Sequence, residues 1–180
     1  MSDTGEIITL HAGRHLSLVA RGRWEFATRP VNKPAVGIVA ITDADCVVLV
    51  EQYRVPVAET VIELPAGLTG DVAGNEHESL LESAKRELRE ETGYEALRWA
   101  ELGSGYSSPG LTDERIVLFL AEGLSKRGPG GGDETEDITV HEVSIDHVME
   151  WLAERRAKTD LKLLAGLYAA QETRNKRTKP

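Results

Sequence analysis

The strongest constraint on this chain is a highly charged helix pattern that stops at a glycine, in residues 86–94. Residues three and four apart lie on one face of an α-helix, so the carboxylates of Glu87, Glu90 and Glu91 are expected to point to the same place. Like charges arranged in this way destabilise a helix unless a cation lies between them. A hard divalent cation such as Mg2+ binds carboxylate oxygens and keeps waters for a phosphate substrate. The pattern therefore predicts a magnesium site beside a helix that ends at Gly93.

A solvated helix with surface pairs of glutamate and arginine is the alternative interpretation of such a pattern. The flanking sequence favours the metal site, because seven residues separate Glu78 from Arg86. This arrangement resembles the Nudix hydrolases, whose box reads G-x5-E-x7-R-E-U-x-E-E-x-G-U, where U is a bulky apolar residue. Two departures are present: Tyr94 is an aromatic residue in the last U position, and ten residues instead of five separate Gly67 from Glu78. The extra residues are expected to lengthen a surface loop, because added loop length costs little closure entropy.

Four further segments resemble the ADP-ribose pyrophosphatase branch of that family, and together they extend over about residues 24–145. The segments are Glu51-Gln52-Tyr53-Arg54, Glu63-Leu64-Pro65-Ala66-Gly67, Ser108-Pro109-Gly110-Leu111-Thr112-Asp113-Glu114 and Asp133-Glu134-Thr135-Glu136-Asp137. An isolated Ser-Pro-Gly turn is an ordinary loop feature, but four segments in this order around one box are specific. The resemblance implies an α/β fold, namely a Nudix α/β/α sandwich with a mixed β-sheet, preceded by a small β-rich N-terminal segment.

The resemblance also implies a reaction, the Mg2+-dependent hydrolysis of the diphosphate of ADP-ribose to AMP and ribose 5-phosphate, with Mn2+ as a substitute ion. Two alternatives stay open. One is a pyrophosphatase for another nucleoside diphosphate sugar, such as GDP-mannose. The other is a Nudix domain that senses a nucleotide without cleaving it. The intact carboxylates of Glu87, Glu90 and Glu91 argue against the sensor, because losing them would abolish the metal site.

By the same resemblance, catalysis is assigned to two regions, the box and the acidic loop. Arg86 would orient the helix carboxylates, with Glu90 beside them. Glu134 would be the general base, and Glu136 is its close rival for that role. The implied metal ligands are the backbone carbonyl of Ala66 and the carboxylates of Glu87, Glu91 and Glu136.

Four residues outside the box are expected to bind the substrate. Arg54, at the end of a strand, suits bidentate contact with phosphate oxygens. In this branch the segment around Trp24 and Arg29 helps to form an adenine pocket, often across a dimer. Trp24 would then stack on the base, although an aromatic residue in a strand more often serves packing. Glu114 would bond to the terminal ribose or to waters on the diphosphate.

Composition sets outer limits on the function. The formal net charge of -9 argues against a broad nucleic-acid surface, although arginines and a metal can still hold a diphosphate. Cys46 is the only cysteine, so no intramolecular disulfide can form and a cytoplasmic location is expected. No run approaches the roughly eighteen apolar residues of a membrane span, and the chain start does not resemble a signal peptide. The expected partners are a small nucleoside diphosphate substrate and a second copy of the chain, with no nucleic acid and no membrane.

The predicted organisation has three parts. Residues 1–33 form a β-rich dimerisation segment, residues 34–172 form the Nudix hydrolase domain, and residues 173–180 form a flexible basic tail. Apolar runs indicate buried strands, and a long loop of small residues is expected between two later strands. The stretch Gly128-Pro129-Gly130-Gly131-Gly132 predicts a hinge for a mobile acidic flap. The predicted elements are strands 6–10, 16–26, 35–42, 46–53, 61–64, 98–102, 115–121 and 138–143, a loop 103–114, and helices 78–92, 144–155 and 159–171.

Overall fold

A computed structural model describes residues 5–30, 33–70, 74, 76–132 and 137–178. The chain begins with a small antiparallel sheet of three strands, β1 (Ile7–Ala12), β2 (Ser17–Arg21) and β3 (Trp24–Thr28). A turn at Gly22, with a φ of 57°, joins the second and third strands. The small N-terminal β-rich segment is therefore confirmed.

The second sheet has eight strands and is mixed. Strand β4 pairs in parallel with β9, while its pairing with β5 and β7 is antiparallel. The main path runs β11-β6-β5-β4-β9-β8, and β10 adds to β5. The strands are β4 (Ala35–Ile41), β5 (Cys46–Arg54), β6 (Glu59–Glu63), β7 (Ala66–Leu68), β8 (Tyr94–Tyr106), β9 (Arg115–Lys126), β10 (Thr139–Ser144) and β11 (Lys158–Thr159). The helices are α1 (Leu80–Thr92), α2 (Val148–Glu154) and α3 (Leu161–Thr178).

The alternation of side chains along β4 builds a core on each face of this sheet. Ile38 packs with Leu88 of α1 on one face, whereas Val39 packs with Leu163 of α3 on the other. Helix α3 approaches closely at Gly166, where an added Cβ would lie 2.6 Å from Leu64 Cδ1. Helices thus cover both faces, which confirms the α/β/α sandwich with a mixed sheet.

Helix α1 has a cap at each end. The Ser79 hydroxyl accepts a hydrogen bond from the backbone N–H of Glu82 at 3.2 Å. Gly93 adopts a left-handed φ of 72° and donates its N–H to the Arg89 carbonyl at 2.8 Å, which satisfies an end carbonyl. The expected stop at Gly93 is confirmed, and the helix begins two residues later than the predicted residue 78 because Ser79 acts as the N-cap.

The C-terminal end differs from its prediction. Helix α3 continues to Thr178, so residues 173–178 are helical where a flexible basic tail was expected. Ion pairs from this last part of the helix explain the extension, because Arg174 pairs with Asp45 and Arg177 pairs with Glu122 at 2.6 Å. None of the helices in the described part of the chain is long and apolar enough to cross a membrane.

Strand β8 is also longer than predicted. It covers Tyr94–Tyr106 instead of residues 98–102, so the first four residues of the expected loop 103–114 are strand. The extension pairs with β9, with an irregularity between Glu101 and Gly103. The loop of small residues therefore begins at Ser107.

The glycine-rich segment 128–132 is hydrogen-bonded to the end of α1. Gly131 donates its N–H to the Glu91 carbonyl at 2.8 Å, and Gly132 donates to the Glu90 carbonyl at 3.1 Å. Gly130 lies so close that an added Cβ would be 2.4 Å from the Thr92 carbonyl carbon. The run is therefore held against the helix, in contrast to the free hinge that was expected. Residues 133–136, with the predicted Glu134 and Glu136, lie outside the described residues.

Candidate active site

A cleft of about 410 Å3 opens where α1, β7 and the starts of β4 and α3 meet. It brings together seven of the predicted site residues, although they come from five separate parts of the chain. The seven are Arg29, Arg54, Ala66, Arg86, Glu87, Glu90 and Glu114.

The acidic wall of the cleft lies against the backbone of β7. The carboxylate of Glu87 covers Gly67 so closely that a Cβ there would be 1.9 Å from Glu87 Oε1. Next to it, Glu91 Oε2 accepts a hydrogen bond from the Ala66 N–H at 2.9 Å. Glu87 and Glu91 are both buried. Gly67 is therefore required for the helix carboxylates to reach the strand.

Arg86 connects the carboxylates of this wall. Its guanidinium donates to Glu78 at 3.0 Å, to Glu87 at 2.8 Å and to Glu90 at 3.1 Å, and it also bonds to the Leu68 carbonyl. Burial alone would lower the pKa of Arg86, but the neighbouring carboxylates outweigh burial and raise its pKa. The guanidinium thus remains a fixed cation, placed to orient acidic side chains as expected for this position.

The cleft also contains the other two predicted arginines. Arg54 Nε donates to Glu63 Oε2 at 2.5 Å. Arg29 pairs with Glu114 at 3.2 Å, which places two predicted substrate-binding residues in direct contact. The cleft therefore combines carboxylates with three guanidinium groups.

Trp24 is not brought into this cleft. Its side chain is 57% exposed, and it lines a separate pocket of about 500 Å3. This pocket belongs to the junction of the two sheets, where Thr28 donates to Asp113 at 2.9 Å and Ala27 donates its N–H to the Leu111 carbonyl. The pocket and the cleft share no lining residue, although Asp113 of the pocket and Glu114 of the cleft are neighbours in the chain. The pocket also contains Arg21, Glu25, Phe26, Tyr106, Pro109, Gly110, Thr112 and Asp113.

The cleft lies within a recognised domain, because the family description of the NUDIX domain matches residues 31–166. The chain belongs to the Nudix family. The match covers the whole second sheet, α1 and α2, and it ends inside α3.

Several proteins with curated descriptions are similar to this Nudix chain. A "Methanol dehydrogenase activator" of Bacillus methanolicus is 38% identical over 74% of this chain and 70% of its own length. An "ADP-ribose pyrophosphatase" of Bacillus subtilis is 39% identical over 71% of this chain and 66% of its own length. One of Mycobacterium tuberculosis is 41% identical over 59% of this chain and 50% of its own length. The chain thus spans between half and about two thirds of these last two relatives.

A solved structure supports the Nudix fold over nearly the whole chain. The crystal structure of an ADP compounds hydrolase superposes with a TM-score of 0.75 and covers 97% of this chain and 95% of its own. Its sequence is 22% identical, so the likeness concerns the fold.

The donor set of the Nudix cleft fits a hard divalent cation. Glu87, Glu91 and the carbonyl of Ala66 supply oxygen atoms only, as Mg2+ prefers. The two carboxylates lie on consecutive parts of the β7 backbone, next to that carbonyl. Among the described residues, no group of three or more His, Cys, Asp or Glu side chains is arranged to hold a metal ion. The predicted ligand Glu136 is not among those residues.

Two polar residues at this site were not predicted from the sequence: Lys162 lines the cleft, and Glu63 bonds to Arg54 and Lys162. Glu63 is a buried carboxylate at the end of β6, and Lys162 lies in the first turn of α3. Glu63 belongs to the segment that ends in Pro-Ala-Gly, so the sequence contained a signal that this residue lies near the site. Lys162 had none, because a lysine near the start of an amphipathic helix is an ordinary surface residue.

Acid is expected to destabilise the domain through Glu78. Hydrogen bonds from Arg86, with one from the Gly70 N–H, hold the pKa of Glu78 below its ordinary value of 4.5 in spite of burial. Since the folded pKa is the lower one, this stabilisation is complete above about pH 4.5 and is lost as the pH falls through the folded pKa. Urea midpoints from pH 7 to pH 3 should therefore differ between wild type and Glu78→Gln, and the difference should shrink toward acid.

The exposed pair of Glu82 and Lys85 on the same helix provides the control. Such a pair contributes little to stability, so Glu82→Gln should follow the wild type at each pH. A difference for Glu78→Gln that is constant with pH would contradict the role given to this carboxylate.

Proposed function

We propose that this protein hydrolyses the diphosphate of ADP-ribose to AMP and ribose 5-phosphate with Mg2+ as its cofactor. The observation that carries the proposal is the placement of Glu87 and Glu91 against the β7 backbone, at a cleft that also contains Arg29 and Arg54. A diphosphate needs cations on its oxygens, and this cleft offers both guanidinium groups and oxygen ligands for a cation. The ADP-ribose pyrophosphatases among the relatives support the same substrate.

Three arginines of the cleft have defined tasks in this proposal. Arg54 and Arg29 bind phosphate oxygens and hold the substrate in line for attack by water. Arg86 fixes the orientation of Glu87 and Glu90 through its hydrogen bonds. When bound, Mg2+ neutralises the developing charge on the phosphate and lowers the pKa of a water ligand.

The acidic loop would supply the base. We assign to Glu134 the removal of a proton from water, and to Glu136 the role of an additional metal ligand. Glu134→Gln should then lower turnover while substrate affinity is nearly unchanged. Glu136→Gln should instead raise the Mg2+ concentration needed for half-maximal activity by about tenfold. If extra Mg2+ rescues Glu134→Gln and not Glu136→Gln, the two roles are exchanged.

A second copy of the chain is part of the proposal. The N-terminal sheet exposes Ile8, Leu10 and Leu18 to solvent in the single chain. The resemblance to the ADP-ribose pyrophosphatase branch implies a homodimer built on this segment. Such a dimer would let Trp24 of one copy approach the cleft of the other. Sedimentation analysis should find a dimer, and Leu10→Lys should shift it toward monomer.

A substrate panel tests the reaction. ADP-ribose, GDP-mannose and a uridine diphosphate sugar are assayed with Mg2+, with Mn2+ and with a chelator. The proposal expects AMP release from ADP-ribose well above turnover of the guanine and uracil compounds, and loss of activity with chelator. Equal turnover of all three would argue against an adenine-specific pocket. Binding without turnover of any of them would support the sensor.

A further inference from the structure

A group of four charged residues lies where β5, β6 and the start of α3 meet, and two of them, Arg54 and Lys162, line the cleft. At its centre is Glu63, whose side chain is 5% exposed. Glu63 accepts a hydrogen bond from Arg54 Nε on one oxygen and from Lys162 Nζ, at 2.6 Å, on the other. Lys162 also pairs with Asp160. Two cations and two carboxylates therefore balance each other at the edge of the site.

Local structure fixes Lys162 in this position. Asp160 Oδ1 accepts the N–H of Leu163 at 3.0 Å and so caps the first turn of α3, next to Lys162. The stem of the lysine passes over Gly37 of β4, where its Cδ is 4.0 Å from the place of an added Cβ. The side chain is 15% exposed and reaches the same cleft as Glu87 and Arg54.

The environment keeps this lysine charged. Burial alone would lower the pKa of Lys162, but Asp160 and Glu63 outweigh burial and raise its pKa. An ammonium group has three N–H donors, and the two carboxylates use two of them. Among the residues that the structure describes, these two carboxylates are the hydrogen-bond partners of Lys162, which leaves a third donor for a group in the cleft.

We propose that Lys162 binds a phosphate oxygen of the substrate in the cleft, with Glu63 and Asp160 as its positioning residues. The ligand chemistry is that of a diphosphate, and Arg54, held by the same Glu63, binds beside it. This inference rests on the proposed function, because it assigns a further contact within the same cleft. The competing interpretation is a charge network that only stabilises the fold. A buried network of that kind is often no more stabilising than apolar packing.

Binding of inorganic pyrophosphate with Mg2+, measured by calorimetry, separates the two interpretations. Lys162→Met should weaken binding by about tenfold to hundredfold, the range for a lost hydrogen bond to a charged group. Lys162→Arg should recover most of the affinity, since it restores the charge. Lys176→Met is the matched control, because Lys176 is an exposed lysine on the same helix, and its binding should equal that of wild type. For a substrate that the protein cleaves, KM should rise more than kcat falls.

Thermal unfolding of each variant shows whether it is folded. If Lys162→Met does not fold, Lys162→Gln serves in its place, because its amide keeps two N–H donors for the carboxylates but loses the charge. Wild-type affinity in the folded Met or Gln variant, or a loss that Lys162→Arg fails to recover, would overturn the assignment. So would a wild-type protein that binds no pyrophosphate. Absence of turnover on the substrate panel, with pyrophosphate binding dependent on Lys162, would instead overturn only the proposed reaction.

Discussion

Glu91→Gln is expected to lower turnover by about a thousandfold or more, because it removes a charge from the proposed metal site. Glu91 is 3% exposed and lies against β7, where its carboxylate accepts the Ala66 N–H. A glutamine has the same size, and its amide oxygen can accept the same hydrogen bond, so the fold should persist. Single-turnover rates with saturating Mg2+, together with thermal unfolding, measure the two effects separately.

Glu82→Gln is the control for this change. Glu82 is on the same helix, but its side chain is 59% exposed and pairs with Lys85 away from β7. Its activity should equal that of wild type. Near-normal turnover of Glu91→Gln at saturating Mg2+ would show that this face of α1 does not hold the metal.

Gly67→Ala is expected to lower turnover by about a hundredfold with little change in the free energy of unfolding. The new Cβ would lie 1.9 Å from Glu87 Oε1, so the carboxylate must move away from the β7 backbone. The end of a glutamate side chain can move at small cost to stability. A displacement of about 1 Å at a catalytic group can nevertheless cost a hundredfold in rate.

Gly105→Ala in β8 is the matched substitution, because no heavy atom lies within 4 Å of its added Cβ. It should leave activity unchanged. Urea midpoints of both variants, measured beside kcat and KM, distinguish a displaced carboxylate from a damaged fold. An active Gly67→Ala protein would mean that Glu87 needs no contact with β7 for catalysis.

The sequence predicts the elements of the fold correctly where the signal is local. The helix pattern at residues 86–94, with its glycine stop, gave the position and end of α1. The apolar runs gave β4 and β5, because a strand buried on both faces needs apolar residues throughout. The resemblance also placed seven site residues that the fold gathers into one cleft.

Contacts between distant parts of the chain could not be predicted from the sequence. Lys162 meets Glu63 across 99 positions of the chain, and Arg174 meets Asp45 across 129. No local pattern encodes either pair, so a cleft residue was missed and α3 was expected to end too early. Trp24 shows the reverse limit, since its segment could be recognised, but the pocket that it lines depends on how the two sheets join.

The attachment of Gly131 and Gly132 to α1 also limits the reach of the acidic loop. An extended chain advances at most about 3.6 Å per residue. The Cα of residue 134 can therefore lie no more than about 7 Å from that of Gly132, and the Cα of residue 136 no more than about 14 Å. Because the N–H of Gly132 is hydrogen-bonded to the carbonyl of Glu90, both distances are measured from the end of α1. Residues inserted between positions 132 and 134 would increase the first distance. The length of this short connection therefore limits where the proposed base can act.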